Sequence, residues 1–301
     1  MTQTELSGSF ENSFNVVKGG SFFRPLRPFL RDLPSDYVGT VENVKKHHGP
    51  LVHWQTLGGF LNFVLISDAE VNRALFVRHA AKLKKPRAQV QTFLFAAGES
   101  VATAEHEEWH VKRKEMNALF SRPLIEGSCP GQVKVVQDYI RDVGSGVQDA
   151  LTVSRKLAAV TASRGILGRT ITESEADIQI AFSKAAGDRF NKESAHIFSR
   201  PNWMLRPWRR ELVRRKRDAF AIVDKTIDEL RASSEPNDGL LSNYLKGDFI
   251  TSTDNEIRQS LVGLLMGAQD NVTSAIGWIL AFLGNDPELQ DKIKQEIRHC
   301  G

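Results

Sequence analysis

LVGLLMGAQDNVTSAIGWILAFL, residues 261–283, is the stretch whose reading decides the fold. It is long and apolar enough to be weighed as a bilayer span. Gln269, Asp270 and Asn271 sit side by side at its centre, where an ionised carboxylate is costly in hydrocarbon. The stretch therefore reads as a core helix carrying a polar site rather than as a membrane segment. Thr253-Asp254-Asn255-Glu256 just upstream has the spacing of a capping box. From there about thirty residues keep helical periodicity, roughly 45 Å of helix. Ile257, Leu261, Leu264, Leu265, Ala268, Val272, Ala275 and Ile279 form its broad apolar face. Gly263, Gly267 and Ala268 are small enough to let a flat ligand approach the backbone. Beside them stand Asp270, Asn271, Thr273 and Ser274. Polar groups at mid-helix suit proton delivery or water ordering, and equally suit a polar cluster satisfied by neighbouring helices.

Working outward, residues 105–120, 132–168, 174–190 and 207–232 show helical pattern, and Asp286-Pro287 opens a further helix. Nearer the front, Leu51–Leu57 and Phe60–Ile66 flank Gly58-Gly59, a hairpin signal. Ser67 with Glu70 three residues later predicts a capping box for a helix running through Phe76. The fold class is mainly α with a small β-sheet near the N-terminus. Residues 1–48 read as a loosely ordered lead-in. With no charged start followed by an apolar run, they predict neither a signal peptide nor an anchor. Lys and Arg number 40 against 36 Asp and Glu, too small an excess to argue for nucleic acid. Cys129 and Cys300 are the two cysteines, so no disulfide framework is written and an intracellular setting is expected, cytoplasmic or at a membrane surface.

Gly267-Ala268-Gln269-Asp270-Asn271-Val272-Thr273-Ser274, with Trp278 eight residues after Asp270, resembles the central helix of the cytochromes P-450. The approach Asp238-Gly239-Leu240-Leu241-Ser242-Asn243-Tyr244-Leu245 and the exit Asn285-Asp286-Pro287-Glu288-Leu289-Gln290 are similar to the family pattern too. The resemblance implies a haem-dependent monooxygenase that oxidises an apolar small molecule with electrons from a reductase. It implies that this helix runs over the haem, with Gly267 and Ala268 against it and an acid–Thr pair relaying protons. Asp270 stands at the acid position, but Asn271 occupies that of the Thr. This departure is shared by relatives with specialised chemistry and fits a specialised biosynthetic pathway.

His106-Glu107-Glu108-Trp109-His110 matches the H-E-x-x-H pattern of zinc hydrolases. Lys112, Arg113 and Lys114 follow it, and that positive charge beside a dication is unfavourable. No metal site is expected here. Trp109 and Arg113 lie one helical turn apart, and both donate hydrogen bonds suited to a carboxylate. In the resembling family this Trp-x-x-x-Arg pair holds a haem propionate.

Residues 201–217 carry Trp203, Met204 and Trp208, followed by Arg209, Arg210, Arg214, Arg215, Lys216 and Arg217. They read as a solvated helix face or as a peripheral contact with an anionic membrane. The resemblance runs from about Gly49 onward and makes 49–301 the N-terminal two-thirds of a cytochrome P-450 domain. The later Glu-x-x-Arg pair and the Phe-x-x-Gly-x-x-x-Cys-x-Gly loop bearing the axial thiolate are not found. Glu211-Leu212-Val213-Arg214 and Cys129-Pro130-Gly131 match them only by chance. The expectation is an incomplete fold, inactive by itself for want of the thiolate. The rival is a non-enzymatic helical remnant that binds a ligand or partner.

Overall fold

In a computed structural model the chain is described at residues 15–18, 36–56, 61–194, 208–233, 237–246 and 252–300. The Gly58-Gly59 turn, residues 201–207 of the basic stretch and most of the lead-in lie outside these. The described residues fall into two compact units, the first built mainly from residues 1–84 and the second from 85 onward.

The first unit is organised by alternation. Strands β2 (Leu51–Thr56) and β3 (Leu61–Ile66) pair antiparallel, with Leu51 opposite Ile66 and Thr56 opposite Leu61. A third strand, β1 (Asn15–Lys18), runs parallel to β2 on its other edge. Both it and helix α1 (Tyr37–His48) fall in the segment read as a lead-in. Val52 of β2 is fully buried and packs with Val44 of α1, and Phe63 and Leu65 of β3 close the cluster. Helix α2 (Ala69–Arg73) starts one residue later than expected. Its cap is Asp68, whose carboxylate accepts from Val71 N–H at 2.9 Å. Ser67 is held back because its N–H donates to Pro50 O at 2.7 Å.

The second unit is helical: α3 (Arg87–Ala96), α4 (His106–Leu119), α5 (Arg122–Val143), α6 (Ala150–Leu167), α7 (Glu173–Ser194), α8 (Trp208–Ala232), α9 (Leu240–Lys246), α10 (Asp254–Asn285) and α11 (Pro287–Cys300). The single helical pattern expected over 132–168 is two helices. Gly144 and Gly146 between them take φ of 67° and 145°, backbone that β-carbon-bearing residues avoid. Asp149 then caps α6, accepting from Thr152 N–H.

Helix α10 is the axis of this unit, 32 residues and so about 48 Å long. Thr253 and Glu256 form the expected reciprocal cap. It packs most extensively along α6, where the small buried residues Ser154 and Ala158 admit a close approach. Ile257, Leu261, Leu265 and Met266 of α10 join one core with Leu119, Leu167, Phe182, Leu212, Val223 and Leu241. The far end is different. Ile279, expected on the apolar face, is 55% exposed, as are Trp278 at 67% and Phe282 at 65%. No described helix is long and apolar enough to cross a membrane.

Candidate functional site

Helical period distributes the polar centre of α10 over two sides. Successive residues turn by about 100°, so neighbours in sequence need not share a surface. Gly267, Ala268, Asn271 and Val272 line a groove of about 500 Å³. Its walls come from Leu119 and Phe120 at the end of α4, the start of α5, and Ile166 of α6. Asp270 lines a separate, more polar cleft of about 330 Å³ on another side of α10, facing α6 and α7. Asp270 and Asn271, read together as a distal pair, therefore open into different cavities.

Each residue's environment follows from its side. A β-carbon built at Gly267 would meet nothing within 4 Å, so the groove reaches the bare backbone there. The Asn271 amide donates to Gly267 O at 2.9 Å, which commits its N–H to its own helix and leaves its oxygen for the groove. In the cleft, Asp270 is exposed as a residue, yet the protein around its carboxyl desolvates it and pushes it above its usual range; Arg155 pulls it down and Asp188 pushes it up.

On α4 the inward face is Lys112, Glu115, Met116 and Leu119, all buried. Trp109, Arg113, Met116 and Phe120 follow one another at spacings of three and four, a single stripe along the helix. Phe120, at its end, lines the groove. Trp109 is half-buried, its ring edge-on to His110 at 5.1 Å. Arg113 is exposed and makes no ion pair or hydrogen bond with any described residue. Its guanidinium is thus open to an anionic ligand. Among the described residues no three His, Cys, Asp or Glu side chains gather as metal ligands.

A residue pair that the sequence did not suggest locks this arrangement. Lys112 is 6% exposed and donates to Glu256 Oε1 at 2.7 Å, tying α4 to the first turn of α10. The Lys112 ammonium and the Thr253 groups hold the Glu256 carboxyl down to about 2. Nearby, Ser252 donates to the buried Glu115 at 2.6 Å. The partners lie 144 residues apart, and nothing local in either segment marks the pairing.

The basic stretch on α8 is largely engaged. Lys216 donates to Phe95 O at 3.0 Å, and Arg209 lies 4.6 Å over the Phe95 ring. Arg214 and Arg215 both pair with Glu211 at 2.7 Å. Burial, with Arg258 beside it, lowers the Lys216 ammonium. The Glu211–Arg214 match to Glu-x-x-Arg is a surface pair within one helix. Cys129 is exposed on α5 and does not line the groove.

An apolar groove reaches bare backbone of α10 at Gly267, and Trp109 and Arg113 stand on the α4 stripe whose end, Phe120, lines it. Residues 32–300 match the sequence model of the cytochrome P450 family, and the chain belongs to that family. Membership implies haem as the cofactor. Similar proteins include lanosterol 14-alpha demethylase of Rattus norvegicus, 25% identical over 272 residues, with 87% of this chain and 52% of that protein covered. The Candida tropicalis lanosterol 14-alpha demethylase is 30% identical over 178 residues, covering 54% of this chain and 33% of that protein. Cytochrome P450 71D11 of Lotus japonicus is 24% identical over 285 residues, covering 86% and 56%. The chain thus spans about half the length of the curated relatives it matches along most of its own. The fold matches that of the retinoic acid-bound cyanobacterial CYP120A1 with a TM-score of 0.68 over 87% of this chain and 58% of that one, at 17% identity.

Proposed function

We propose that these residues form the distal wall and propionate side of a haem monooxygenase acting on an apolar small molecule with reductase-supplied electrons. The groove at Gly267, Ala268 and Asn271, reached by the Trp109–Arg113 stripe, carries this reading. Haem bound there would supply the redox centre at which dioxygen is reduced. The chain's own residues do the rest. Gly267 and Ala268 admit the flat group, and Trp109 and Arg113 donate to its carboxylates. The apolar walls, Leu119, Phe120, Ile166 and Val272, exclude water. Asp270 exchanges protons from the other side of α10. The axial thiolate comes from outside these residues, because neither Cys129 nor Cys300 is placed in a loop of the family's type. Without it, the chain alone is not expected to turn over.

The test is haem retention and the reduced carbon-monoxide spectrum of the full-length protein, wild type against Arg113→Leu. Loss of a charge-assisted hydrogen bond, discounted for the exposure of Arg113, predicts about tenfold weaker haem retention with helicity unchanged. Equal retention in the variant would remove Arg113 from the site. A spectrum without a thiolate-type band in the full-length wild type would overturn the monooxygenase reading itself.

A further inference from the structure

Between α5, α6 and the start of α7 lies a further cavity of about 490 Å³, within the size range of small-molecule sites. It shares no lining residue with the groove at Gly267. Nor does it share any with the polar cleft, where a β-carbon at Gly187 of α7 would stand 3.2 Å from Asp270 Oδ2. Its floor is apolar: Val135 of α5, Val153 and Val160 of α6, and Ile171 and Ala176 leading into α7. Val135, Ile171 and Ala176 are buried, so the floor rests on the core. Over it stand Asp138, Asp142 and Glu173, against Lys156. Lys156 is committed to Glu173, to which it donates. Asp138 accepts from the exposed Arg141 at 3.1 Å. Asp142 makes no ion pair or hydrogen bond with any described residue, and neither does the Tyr139 hydroxyl beside it. Burial pushes the Tyr139 phenol up, Lys156 pulls it down and Glu173 pushes it up, so the ring stays neutral at neutral pH. An inorganic cation does not fit, because no three ligating side chains gather among the described residues and the floor offers no oxygen. An anion would meet a surplus of negative charge, and a neutral apolar molecule would desolvate Asp142 without pairing it.

We propose that this cavity binds an organic cation, a protonated amine carried on an apolar body. The body lies on the floor between Val135, Val153 and Ile171. The ammonium donates to the Asp142 carboxylate, with the face of the Tyr139 ring and its hydroxyl beside it. Lys156 works against the ligand by holding Glu173, so the site carries its own brake on affinity. It uses no residue of the function proposed above and stands or falls without it.

The measurement is a calorimetric titration of the full chain with 2-naphthylmethylammonium. The alcohol 2-naphthylmethanol and the anion 2-naphthoate serve as its neutral and negative counterparts. The cation should bind at a single site, about tenfold more tightly than either counterpart. Asp142→Asn should weaken it about fivefold, a modest factor because Asp142 is exposed. Lys156→Met keeps the apolar stem and releases Glu173, and should tighten binding about fivefold, a gain that damage to the fold does not produce. Thr152→Trp, at an exposed lining position, should block the cavity and abolish binding with the unfolding midpoint unchanged. No binding of the cation, or equal affinity for all three probes, overturns the proposal. So does an affinity untouched by Asp142→Asn and Thr152→Trp, which would place the ligand elsewhere, and so does weaker binding in Lys156→Met. If Thr152→Trp does not fold, the two charge variants decide. Neither haem nor turnover enters the readout, so a protein lacking the thiolate-type spectrum would fail as a monooxygenase and keep this site.

Discussion

Replacing Glu256 with Ala is expected to destabilise the helical unit by about 3 kcal/mol, read as the shift in its urea unfolding midpoint. Removing one partner of a buried ion pair costs about 3–5 kcal/mol because the other charge is left in place. The lower end applies because only Lys112 is buried while the Glu256 side chain is 28% exposed, and because Glu108, 3.8 Å from Lys112, is a weaker substitute partner. The same carboxylate also closes the cap of α10, so its loss frees Thr253 N–H as well. A control follows from the chemistry: Glu256→Gln with Lys112→Met removes both charges and keeps the cap acceptor, and should recover most of the loss. The pH dependence has a definite sign. Glu256 is held at about 2 in the folded chain against an ordinary value of 4.5. A depressed carboxylate adds stability that is complete above its unfolded value and is lost as pH falls through its folded one. Wild type and Glu256→Gln should therefore differ most above pH 4.5 and converge as pH approaches 2. Parallel curves down to that point would refute the assignment of the pair.

Gly267→Leu is expected to separate folding from haem binding. Nothing lies within 4 Å of a β-carbon at this position, so the helix accepts the side chain. Leu also favours helix over Gly by up to about 0.8 kcal/mol, and the unfolding midpoint should hold or rise. The new side chain would enter the groove, where overfilling a fitted apolar site costs about 1–3 kcal/mol. Haem retention in the full-length protein should fall by up to about a hundredfold. A fall in stability would mean that the groove is closed by protein, and unchanged haem retention would place the cofactor elsewhere.

The fold class was legible because its signals are local. Thr253 and Glu256 announce α10 within four residues, and the glycine pair at 58–59 with flanking β-formers announces the hairpin. The break at Gly144–Gly146 was missed in reading 132–168 as one helical pattern, although two glycines so close together are a turn signal and both take positive φ. The site divides in the same way. Gly267, Ala268 and Asn271 meet at one groove, as their spacing of one and four implies. That Asp270 turns away from Asn271 follows from 100° per residue and could have been drawn from the sequence; adjacency along the chain obscured it. Lys112 with Glu256, and Gly187 with Asp270, could not have been found this way, because each pair is made by packing between distant helices.

Gly187 also constrains how this protein can change over generations. A β-carbon at 187 would stand 3.2 Å from the Asp270 carboxylate, so a larger residue there requires that side chain to give by a few tenths of an ångström. The order of substitutions then matters. A lineage that first shortens the acid at 270 removes this contact, whereas one that first enlarges 187 must also shift the carboxylate. The two positions are coupled through this contact, although neither lies near the other in the sequence.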